Sequence, residues 1–421
     1  MGQLQTDHPQ HITVIGAGIV GVCCALWLRH KGHRVLLVDG NNPGTVTSCG
    51  NACTIAVYGC VPVNNPDLIL NLPKLMFGKF RPLSVDPVFA ARNLPWFLSF
   101  LYHCRGKEVK KINAALARIL AHTYDGLDPL VELTGCGHLF DHKGCLYAYE
   151  SENDFVNDQK SLQVRRDHGV NFTQLTAGEV QELEPELKVK FARGILFDNT
   201  RNVLNPQTLV NSFFEYYRQH EGEWQNQKAG SVSQTSDGLE VLLENGDKIA
   251  TDKVVIASGA FSRQIEGTGA QRLPLGTERG YHVQFSERQH LVNRPVHWVG
   301  SGFYATPTTE GLRFAGTVEL SGLSPKKNRK TLDYLTRMAK QMFEIEGEPD
   351  QTWLGYRPTL PDALPVIGAS PQSDKILFAF GHQHLGLTLA GITGKIISEL
   401  VDGSPTTVNI TPFSAARFAS A

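Results

Sequence analysis

The sequence has no excess of either charge, because 40 lysines and arginines are balanced by 41 aspartates and glutamates, for a net charge of −1 over 421 residues. Proteins that bind nucleic acid along its phosphates carry a basic excess, so the balance argues against that class. Disordered chains are poor in apolar residues, whereas 41% of this chain is hydrophobic. The sequence therefore indicates a globular protein, and its length is typical of two to three domains.

An export signal and a long apolar run are also missing. Met1 to Gln10 are polar, whereas a secretory signal combines a basic segment, an apolar segment and a cleavage site. The apolar stretch from Ile12 to Leu28 contains three glycines, and a membrane span needs about 20 consecutive apolar residues. We therefore expect a cytoplasmic protein in which this stretch forms a strand, a turn and a helix.

Cysteines at a redox-motif spacing are absent as well. The eight cysteines form no Cys-x-x-Cys motif, and none lies beyond Cys145. Disulfide frameworks are typical of short secreted chains, so we predict free thiols. We interpret Cys49 and Cys53 as small buried thiols rather than a redox pair, and we predict no metal site.

Glycine, in contrast, is abundant and stands at a functional spacing. Gly16-Ala17-Gly18-Ile19-Val20-Gly21 matches the G-x-G-x-x-G pattern between a predicted strand and a predicted helix. Its three glycines permit a tight turn, close approach of backbone to a pyrophosphate, and close helix–strand packing. Asp39, at the end of the second predicted strand, can bind ribose hydroxyls and would repel the extra phosphate of NADP. The pattern predicts binding of NAD or FAD, and the alternative is an ordinary strand–helix turn.

Predicted strands and helices alternate at both ends of the chain around a β-rich middle. This order predicts the α/β class: a Rossmann-like nucleotide-binding domain assembled from separated segments, and an α+β inserted domain with a mixed or antiparallel sheet. We assign the nucleotide-binding domain to residues 1–90, 190–270 and 355–421, and the substrate-binding domain to residues 91–189 and 271–354.

Two other segments place small residues where a strand ends. The segment from Val254 to Ala260 is a buried strand that ends in the small residues Ser258, Gly259 and Ala260. The segment from Gly381 to Thr388 joins a strand to a helix. Backbone can approach a ligand closely at such points, and a helix N-terminus favours negative charge. In a flavoenzyme that charge would be the N1–O2 edge of the reduced ring. For each segment the alternative is a plain connection between a strand and the element that follows it.

Together these stretches resemble the FAD-dependent D-amino-acid oxidase and dehydrogenase superfamily from Ile12 to about Leu400, and most closely its bacterial D-amino-acid dehydrogenases. Ser48-Cys49-Gly50-Asn51-Ala52 is similar to the Ser-x-x-Asn-Ala loop beside the flavin of those dehydrogenases. Gly355-Tyr356-Arg357-Pro358, followed by Pro361-Asp362 and Pro365-Val366-Ile367-Gly368, is the most specific match. The resemblance implies FAD as cofactor, held by Gly16, Gly18, Ile19, Val20, Gly21, Asp39, Gly40, Ser48, Asn51, Ala52, Val232, Ser258, Gly259, Gly381, His382, Leu385, Gly386, Leu387 and Thr388.

The resemblance also implies a reaction in which hydride passes from the substrate Cα to flavin N5 and leaves an imine or a 2-oxo acid. Arg357 is the residue expected to bind the substrate carboxylate, since a guanidinium can grip it through two parallel N–H donors. His384, Tyr281 and Tyr304 are the other catalytic-site candidates. The alternatives are a structural arginine between prolines, a histidine that packs beside the ring, and tyrosines that belong to the core.

The implied substrate is a small D-amino acid, with a cyclic one such as D-proline or D-hydroxyproline as one choice, and the implied acceptor is a quinone or another respiratory carrier. A glycine or sarcosine-type oxidase that uses oxygen is the alternative. Such oxidases usually carry Ser-x-His and arginines where this chain has Ser48 to Ala52. A non-catalytic nucleotide-binding module would not need Arg357 together with the His382 turn.

The segment from Leu68 to Lys111 combines aromatic and aliphatic residues with a basic excess. One interpretation is a face that rests on the anionic inner surface of the cell membrane, where a quinone is reached. Related dehydrogenases are peripheral-membrane enzymes. The other interpretation is a set of helices that cover the sheet of the substrate domain.

Overall fold

The computed structural model describes residues 8–66 and 83–419. Its strands are β1 His11–Ile15, β2 Arg34–Val38, β3 Thr54–Ile55, β4 Leu83–Val85, β5 Phe140–Asp141, β6 Cys145–Tyr149, β7 Thr173–Thr176, β8 Arg193–Phe197, β9 Arg201–Val203, β10 Glu223–Gln225, β11 Ala229–Gln234, β12 Leu239–Leu243, β13 Lys248–Thr251, β14 Lys253–Ile256, β15 Gly276–Phe285, β16 Val296–Trp298, β17 Phe303–Thr308, β18 Gly311–Leu320, β19 Gln351–Thr359, β20 Val366–Ser370 and β21 Ser373–Phe380. Its α-helices are α1 Ile19–His30, α2 Pro87–Arg92, α3 Leu94–His103, α4 Gly106–Leu120, α5 Thr123–Thr134, α6 Glu152–Asp167, α7 Ala177–Leu183, α8 Pro206–Gln219, α9 Arg329–Phe343 and α10 Gly386–Val401.

Six strands from distant parts of the chain form the first sheet, in the order β10-β2-β1-β14-β21-β20. All neighbours are parallel except β20 and β21. The strands read as apolar runs because helices cover them; Ile12, Val14, Val35 and Leu37 are fully buried. In register, Ile15 of β1 lies beside Val38 and Ile256, so the carboxyl ends of these strands meet at one edge. That edge is where ligands bind in open parallel sheets.

The final helix, α10, packs against helices α1 and α5 through close contacts of small residues. A Cβ at Gly394 would lie 2.6 Å from the carbonyl oxygen of Cys23 in α1, and a Cβ at Gly391 would lie 2.7 Å from Gly126 in α5. Larger side chains at these positions would separate the helices. The start of α10 therefore stands at a fixed place beside the phosphate loop, which is the turn from Gly16 to Gly21.

A second, larger sheet has the strand order β19-β15-β18-β17-β16-β6-β8-β7, and β4 pairs with β18. It is mixed: β16–β6 and β18–β4 are parallel and the other pairs antiparallel. Helix α9 packs on one face, where its Leu335 and Met338 share a core with Val283, Phe303 and Phe314. Because successive side chains of a strand alternate between faces, the intervening residues of β15, β17 and β18 point toward the other side.

The predicted elements agree with this structure in the αβ units at both ends and in the β-rich middle. The fold class is confirmed as mixed α/β. The domain boundaries stay a prediction: β4 and β8 fall in segments assigned to the nucleotide-binding domain, yet both pair within the larger sheet. Of the segment from Leu68 to Lys111, residues 68–82 lie outside the described residues, and helices α2, α3 and α4 are present from Pro87 onward. All eight cysteines are free thiols.

Candidate active site

A cavity of about 410 Å³ opens at the carboxyl edge of the six-stranded sheet. The loops after β1, β2, β14 and β21 contribute to its wall, as the register of these strands requires. The predicted cofactor-binding residues that line the cavity are Gly16, Gly18, Ile19, Val20, Asp39, Gly40, Ser48, Ser258, Gly259, His382 and Gly386. The structure thus brings together residues that are more than 350 positions apart in the chain, from Gly16 to Gly386.

The phosphate loop has no room for side chains at two of its glycines. Gly16 has φ +112°, and a Cβ there would lie 2.6 Å from the backbone of Ala257. A Cβ at Gly21 would lie 1.8 Å from the carbonyl oxygen of Gly16. Gly21 therefore lets α1 pack against the turn, while Gly18 lines the cavity and would place a Cβ only near the Ser48 hydroxyl, at 3.3 Å.

Asp39 and Ser48 fix the entrance to α1. The Asp39 carboxylate accepts hydrogen bonds from the backbone N–H groups of Ala17 and Asn41, both at 2.8 Å. The Ser48 hydroxyl accepts one from the N–H of Ile19 at 3.0 Å. An acidic side chain at the end of the second strand can also bind ribose hydroxyls, since a carboxylate accepts several bonds.

Several predicted cofactor residues lie beside the cavity rather than in its wall. Asn51 shapes the loop after Ser48, since its side chain donates to the Ser48 carbonyl and accepts from the Cys53 N–H, both at 2.8 Å. Thr388 accepts a hydrogen bond from the N–H of Ala56 at 2.9 Å. The other predicted residues outside the wall are Gly21, Ala52, Gly381, Leu385 and Leu387. Val232 does not belong to the six-stranded sheet, because it lies in β11 of a separate three-stranded sheet.

Arg357 lies in β19, and its neighbours Tyr356 and Pro358 line the cavity. Its guanidinium donates to the carbonyl oxygen of Thr317 at 2.7 Å. The guanidinium occupies the space next to Gly280, where a Cβ would lie 2.4 Å from it. Burial lowers the pKa of Arg357 and the Glu278 carboxylate opposes that shift. The arginine is thus half-buried, charged and held on one side by backbone.

Glu278 stands directly opposite Arg357 in the β15–β19 ladder and is itself buried. Burial raises the pKa of this carboxyl, while Arg357 and the Thr359 hydroxyl lower it. The half-buried guanidinium and the buried carboxylate therefore compensate each other electrostatically, although no direct ion pair joins them among the described residues. Sequence inspection does not identify Glu278, because its partner is 79 positions away in the chain.

His384 and His382 belong to the turn between β21 and α10 and differ in surroundings. His382 is buried, and its Nε2 lies 3.0 Å from the Thr393 hydroxyl. His384 is exposed and is not among the residues that line the cavity, although Gln383 and Gly386 on either side of it are. Burial and then the charge of Arg357 lower the pKa of His384 to about 4. The His384 imidazole is therefore neutral at physiological pH and close enough to Arg357 to sense its charge.

Tyr304 joins a group of aromatic residues on the face of the larger sheet that points away from α9. Its hydroxyl lies 2.9 Å from that of Tyr147, and its ring stacks on His297 at a centroid distance of 4.4 Å. Tyr58 belongs to the same group; it is buried and donates to the Cys145 sulfur at 3.3 Å. Burial raises the pKa of Tyr304 well above its ordinary value, so its phenol stays protonated.

Tyr281 is not brought to this group. Its ring belongs to the core under α9, and its hydroxyl donates to the Glu319 carboxylate. The N–H of Asn328 donates to the same hydroxyl at 3.2 Å. The structure therefore places Tyr281 on the opposite face of the sheet from His282, and we leave it out of the proposed site.

The family model described as DAO, FAD-dependent oxidoreductase, matches residues 11–400. The chain belongs to this family. A curated relative, the D-amino-acid oxidase of Bradyrhizobium diazoefficiens, is 30% identical over 417 residues, which cover 97% of this chain and 99% of the relative. Among solved structures, glycine oxidase from Geobacillus kaustophilus is similar with a TM-score of 0.73 at 20% identity, over 97% of this chain and 99% of that one. L-proline dehydrogenase from P. horikoshii has a TM-score of 0.74 at 17% identity, over 99% of both chains.

Membership of this family establishes that the chain is an oxidoreductase with FAD as its cofactor. The cavity fits that cofactor, because its wall combines the side-chain-free Gly16 turn, the start of α1 and the Asp39 carboxylate. These are the features that hold a pyrophosphate and a ribose. The Gly381–Gly386 turn at the other side of the wall provides a second helix start, which suits the negative edge of a flavin ring.

Three buried histidines around the site predict a loss of stability in acid. Burial lowers the pKa of His282, His297 and His382 to about 3, about 4 and about 3. In the unfolded chain each returns to about 6.5, so the unfolded state binds more protons below that pH. The free energy of unfolding should be constant above pH 6.5 and fall toward pH 4, by roughly 1.4 kcal/mol per pH unit for each histidine.

Urea unfolding at pH 7, 6 and 5 measures this slope. His382→Gln should flatten it by about one proton, and His142→Gln, which changes an exposed histidine, should leave it as it is. A free energy of unfolding that is the same at pH 7 and pH 5 would contradict the assignment of neutral buried histidines.

Proposed function

We propose that this chain oxidises a D-amino acid whose carboxylate binds Arg357, with FAD bound in the cavity at the edge of the six-stranded sheet. The observation that carries the proposal is the position of the guanidinium. Arg357 stands between the cavity-lining residues Tyr356 and Pro358, is anchored to the Thr317 carbonyl, and lies within electrostatic reach of His384. Bound FAD would accept the hydride that leaves the substrate Cα, which is chemistry that the cofactor carries.

The protein's own part is to bind and orient the substrate. A guanidinium held on one side by backbone has donors in a fixed fork, which fixes the direction of a carboxylate as well as its position. Neutral His384 can accept a hydrogen bond from the substrate amine, because an uncharged imidazole has one free nitrogen lone pair. Tyr304 and the rings around it offer an aromatic wall for a small or cyclic side chain.

The D configuration is supported by the curated relative, which is named a D-amino-acid oxidase. The test is to mix the FAD-loaded protein with single amino acids in the absence of oxygen and to follow the flavin absorbance band. Bleaching by a D-amino acid supports the proposal, and a protein that no amino acid reduces would contradict it.

The proposal has two forms, which differ in the electron acceptor of the reduced flavin. We favour a quinone or another respiratory carrier, because Ser48 to Ala52 resembles the loop of bacterial D-amino-acid dehydrogenases. The alternative is an oxidase that uses oxygen, which the name of the curated relative favours. Reoxidation of the substrate-reduced protein by a soluble quinone, compared with reoxidation by dissolved oxygen, separates the two. Faster reoxidation by oxygen would identify an oxidase.

The segment from Val88 to Tyr102 supports contact with a membrane surface. Helix α3 turns Trp96 toward Gly276 of the larger sheet, where a Cβ would lie 2.8 Å from the indole nitrogen. Leu94, Leu98 and Leu101 are 55%, 58% and 42% exposed. Exposed basic residues flank this apolar row: Arg92, Arg105, Lys107, Lys110 and Lys111. Within residues 8–66 and 83–419, no helix is long and apolar enough to cross a bilayer.

Replacing Leu94, Leu98 and Leu101 together by serine should weaken binding to anionic phospholipid vesicles by at least about tenfold, since each leucine contributes roughly 1.5–3 kcal/mol when fully buried. Vesicle flotation with phosphatidylglycerol measures this, and added salt should weaken the binding of the unchanged protein. Val156→Ser with Leu242→Ser, which removes exposed apolar residues elsewhere, is the matched control. An unchanged protein that stays off the vesicles would exclude this surface.

A further inference from the structure

The loop from Ser48 to Ala52 is held by side chains of the larger sheet along its whole length. Arg313 in β18 donates to the carbonyl oxygens of Cys49 at 2.9 Å and Asn51 at 3.2 Å. His282 in β15 lies with its Nδ1 3.0 Å from the carbonyl oxygen of Gly50. The Thr306 hydroxyl in β17 donates to the carbonyl oxygen of Ala52 at 3.2 Å. Four consecutive loop carbonyls therefore bind side chains from three adjacent strands.

The other end of the same loop is attached to the phosphate loop. The Ser48 hydroxyl accepts from the Ile19 N–H in the first turn of α1, and Ser48 lines the cavity. The indole of Trp353 lies against Gly50 so closely that a Cβ there would approach to 2.2 Å. The loop is thus clamped between the two sheets and has little freedom to move independently of either.

Arg313 is the charged member of this clamp. It is 4% exposed, and its Nε donates to the Gln284 side chain at 3.0 Å. Its nearest carboxylate is the exposed Glu310, at 3.7 Å. The positive charge of Arg313 lowers the pKa of the Cys49 and Cys53 thiols and of His282, although burial raises the pKa of both thiols overall. A buried cation therefore stands behind a loop that borders the cavity.

We propose that Arg313 is a positioning residue that couples the substrate sheet to the cofactor: its hydrogen bonds hold the Ser48–Ala52 loop for FAD binding, and its charge raises the reduction potential of the bound flavin. The proposal rests on the placement of FAD proposed above. A buried positive charge near the ring favours the reduced flavin, which carries more negative charge than the oxidised form. Without Arg313, the carbonyl oxygens of Cys49 and Asn51 would lose a charged hydrogen-bond donor. The Ser48–Ala52 loop would then relax away from the phosphate loop.

Arg313→Met removes both the charge and the bonds, and Arg313→Lys keeps the charge without the fork. We expect Arg313→Met to weaken FAD binding to the apo-protein at least about tenfold and to make the flavin potential more negative. Arg313→Lys should weaken binding but keep most of the potential. Thr306→Val removes one uncharged bond to the same loop, so it should weaken binding by less and leave the potential unchanged.

Arg279→Lys is the matched control, because Arg279 is an equally buried arginine that binds Ser321 and Glu319 instead of the loop. It should lower the melting temperature without changing FAD affinity or potential. The proposal would be overturned if Arg313→Met bound FAD with wild-type affinity and gave the flavin its wild-type reduction potential. If Arg313→Met does not fold, wild-type FAD affinity and flavin potential in both Arg313→Lys and Thr306→Val would overturn it. The proposal would also be overturned if Arg279→Lys weakened FAD binding as much as Arg313→Lys does. A wild-type protein that does not bind FAD would instead refute the placement of the cofactor.

Discussion

Arg357→Ala should retain FAD and lose nearly all turnover. The substitution removes the cation expected to grip the substrate carboxylate, and losing one partner of a charged, buried interaction costs about 2–5 kcal/mol. We expect kcat/KM to fall by roughly a hundredfold or more, with both parameters affected, because the guanidinium orients the substrate as well as binding it. Steady-state kinetics and the flavin absorbance of the purified variant measure the two effects separately.

The buried Glu278 needs its own control in that experiment. Without Arg357 its carboxylate has no compensating cation, so Arg357→Ala should also lose stability. Arg357→Ala combined with Glu278→Gln should regain stability and remain inactive. Arg357→Lys should be partly active, because a lysine keeps the charge without the fork. An unchanged kcat/KM in Arg357→Ala would show that Arg357 does not bind the substrate carboxylate.

Gly21→Ala should destabilise the fold itself and abolish FAD binding. The added Cβ would lie 1.8 Å from the carbonyl oxygen of Gly16, so α1 must move away from the turn. Overpacking of this kind typically costs 1–3 kcal/mol or more, and here it also displaces the start of the helix that faces the pyrophosphate. Thermal unfolding with and without added FAD measures both effects.

Gly18→Ala provides the contrast within the same motif. Its Cβ would meet only the Ser48 hydroxyl, at 3.3 Å, so the apo-protein should be nearly as stable as the wild type. Gly18 lines the cavity, however, and an added methyl group there occupies space that the cofactor needs. We expect weaker FAD binding with little loss of apo-protein stability. Equal stability of Gly21→Ala and Gly18→Ala would contradict the packing argument.

The turn of the phosphate loop was predictable because local sequence determines it. A tight turn with φ +112° at Gly16 requires glycine, and the strand, turn and helix are consecutive in the chain. The sequence predicts the lining of the cavity at Asp39, Ser258 and His382 for the same reason, since each follows a strand of one parallel sheet.

The faces of the larger sheet were less predictable. Tyr281 and Tyr304 look alike as aromatic residues in strands, yet Tyr281 packs under α9 and Tyr304 lies on the opposite side. An irregularity in the β15–β18 pairing between Arg279 and Tyr281 shifts the register there, and such a bulge leaves no clear mark in sequence. Arg313 could not be foreseen either, because its partners are backbone carbonyls, which every loop has.

Anaerobic reduction of the bound flavin by matched pairs of amino-acid enantiomers, with proline and alanine as the first pairs, tests the proposed function most directly. We expect the D enantiomer of at least one pair to bleach the flavin band, the L enantiomer to do so far more slowly, and Arg357→Ala to suppress the difference. Bleaching by L enantiomers alone, or by none of the amino acids, would contradict the proposed function.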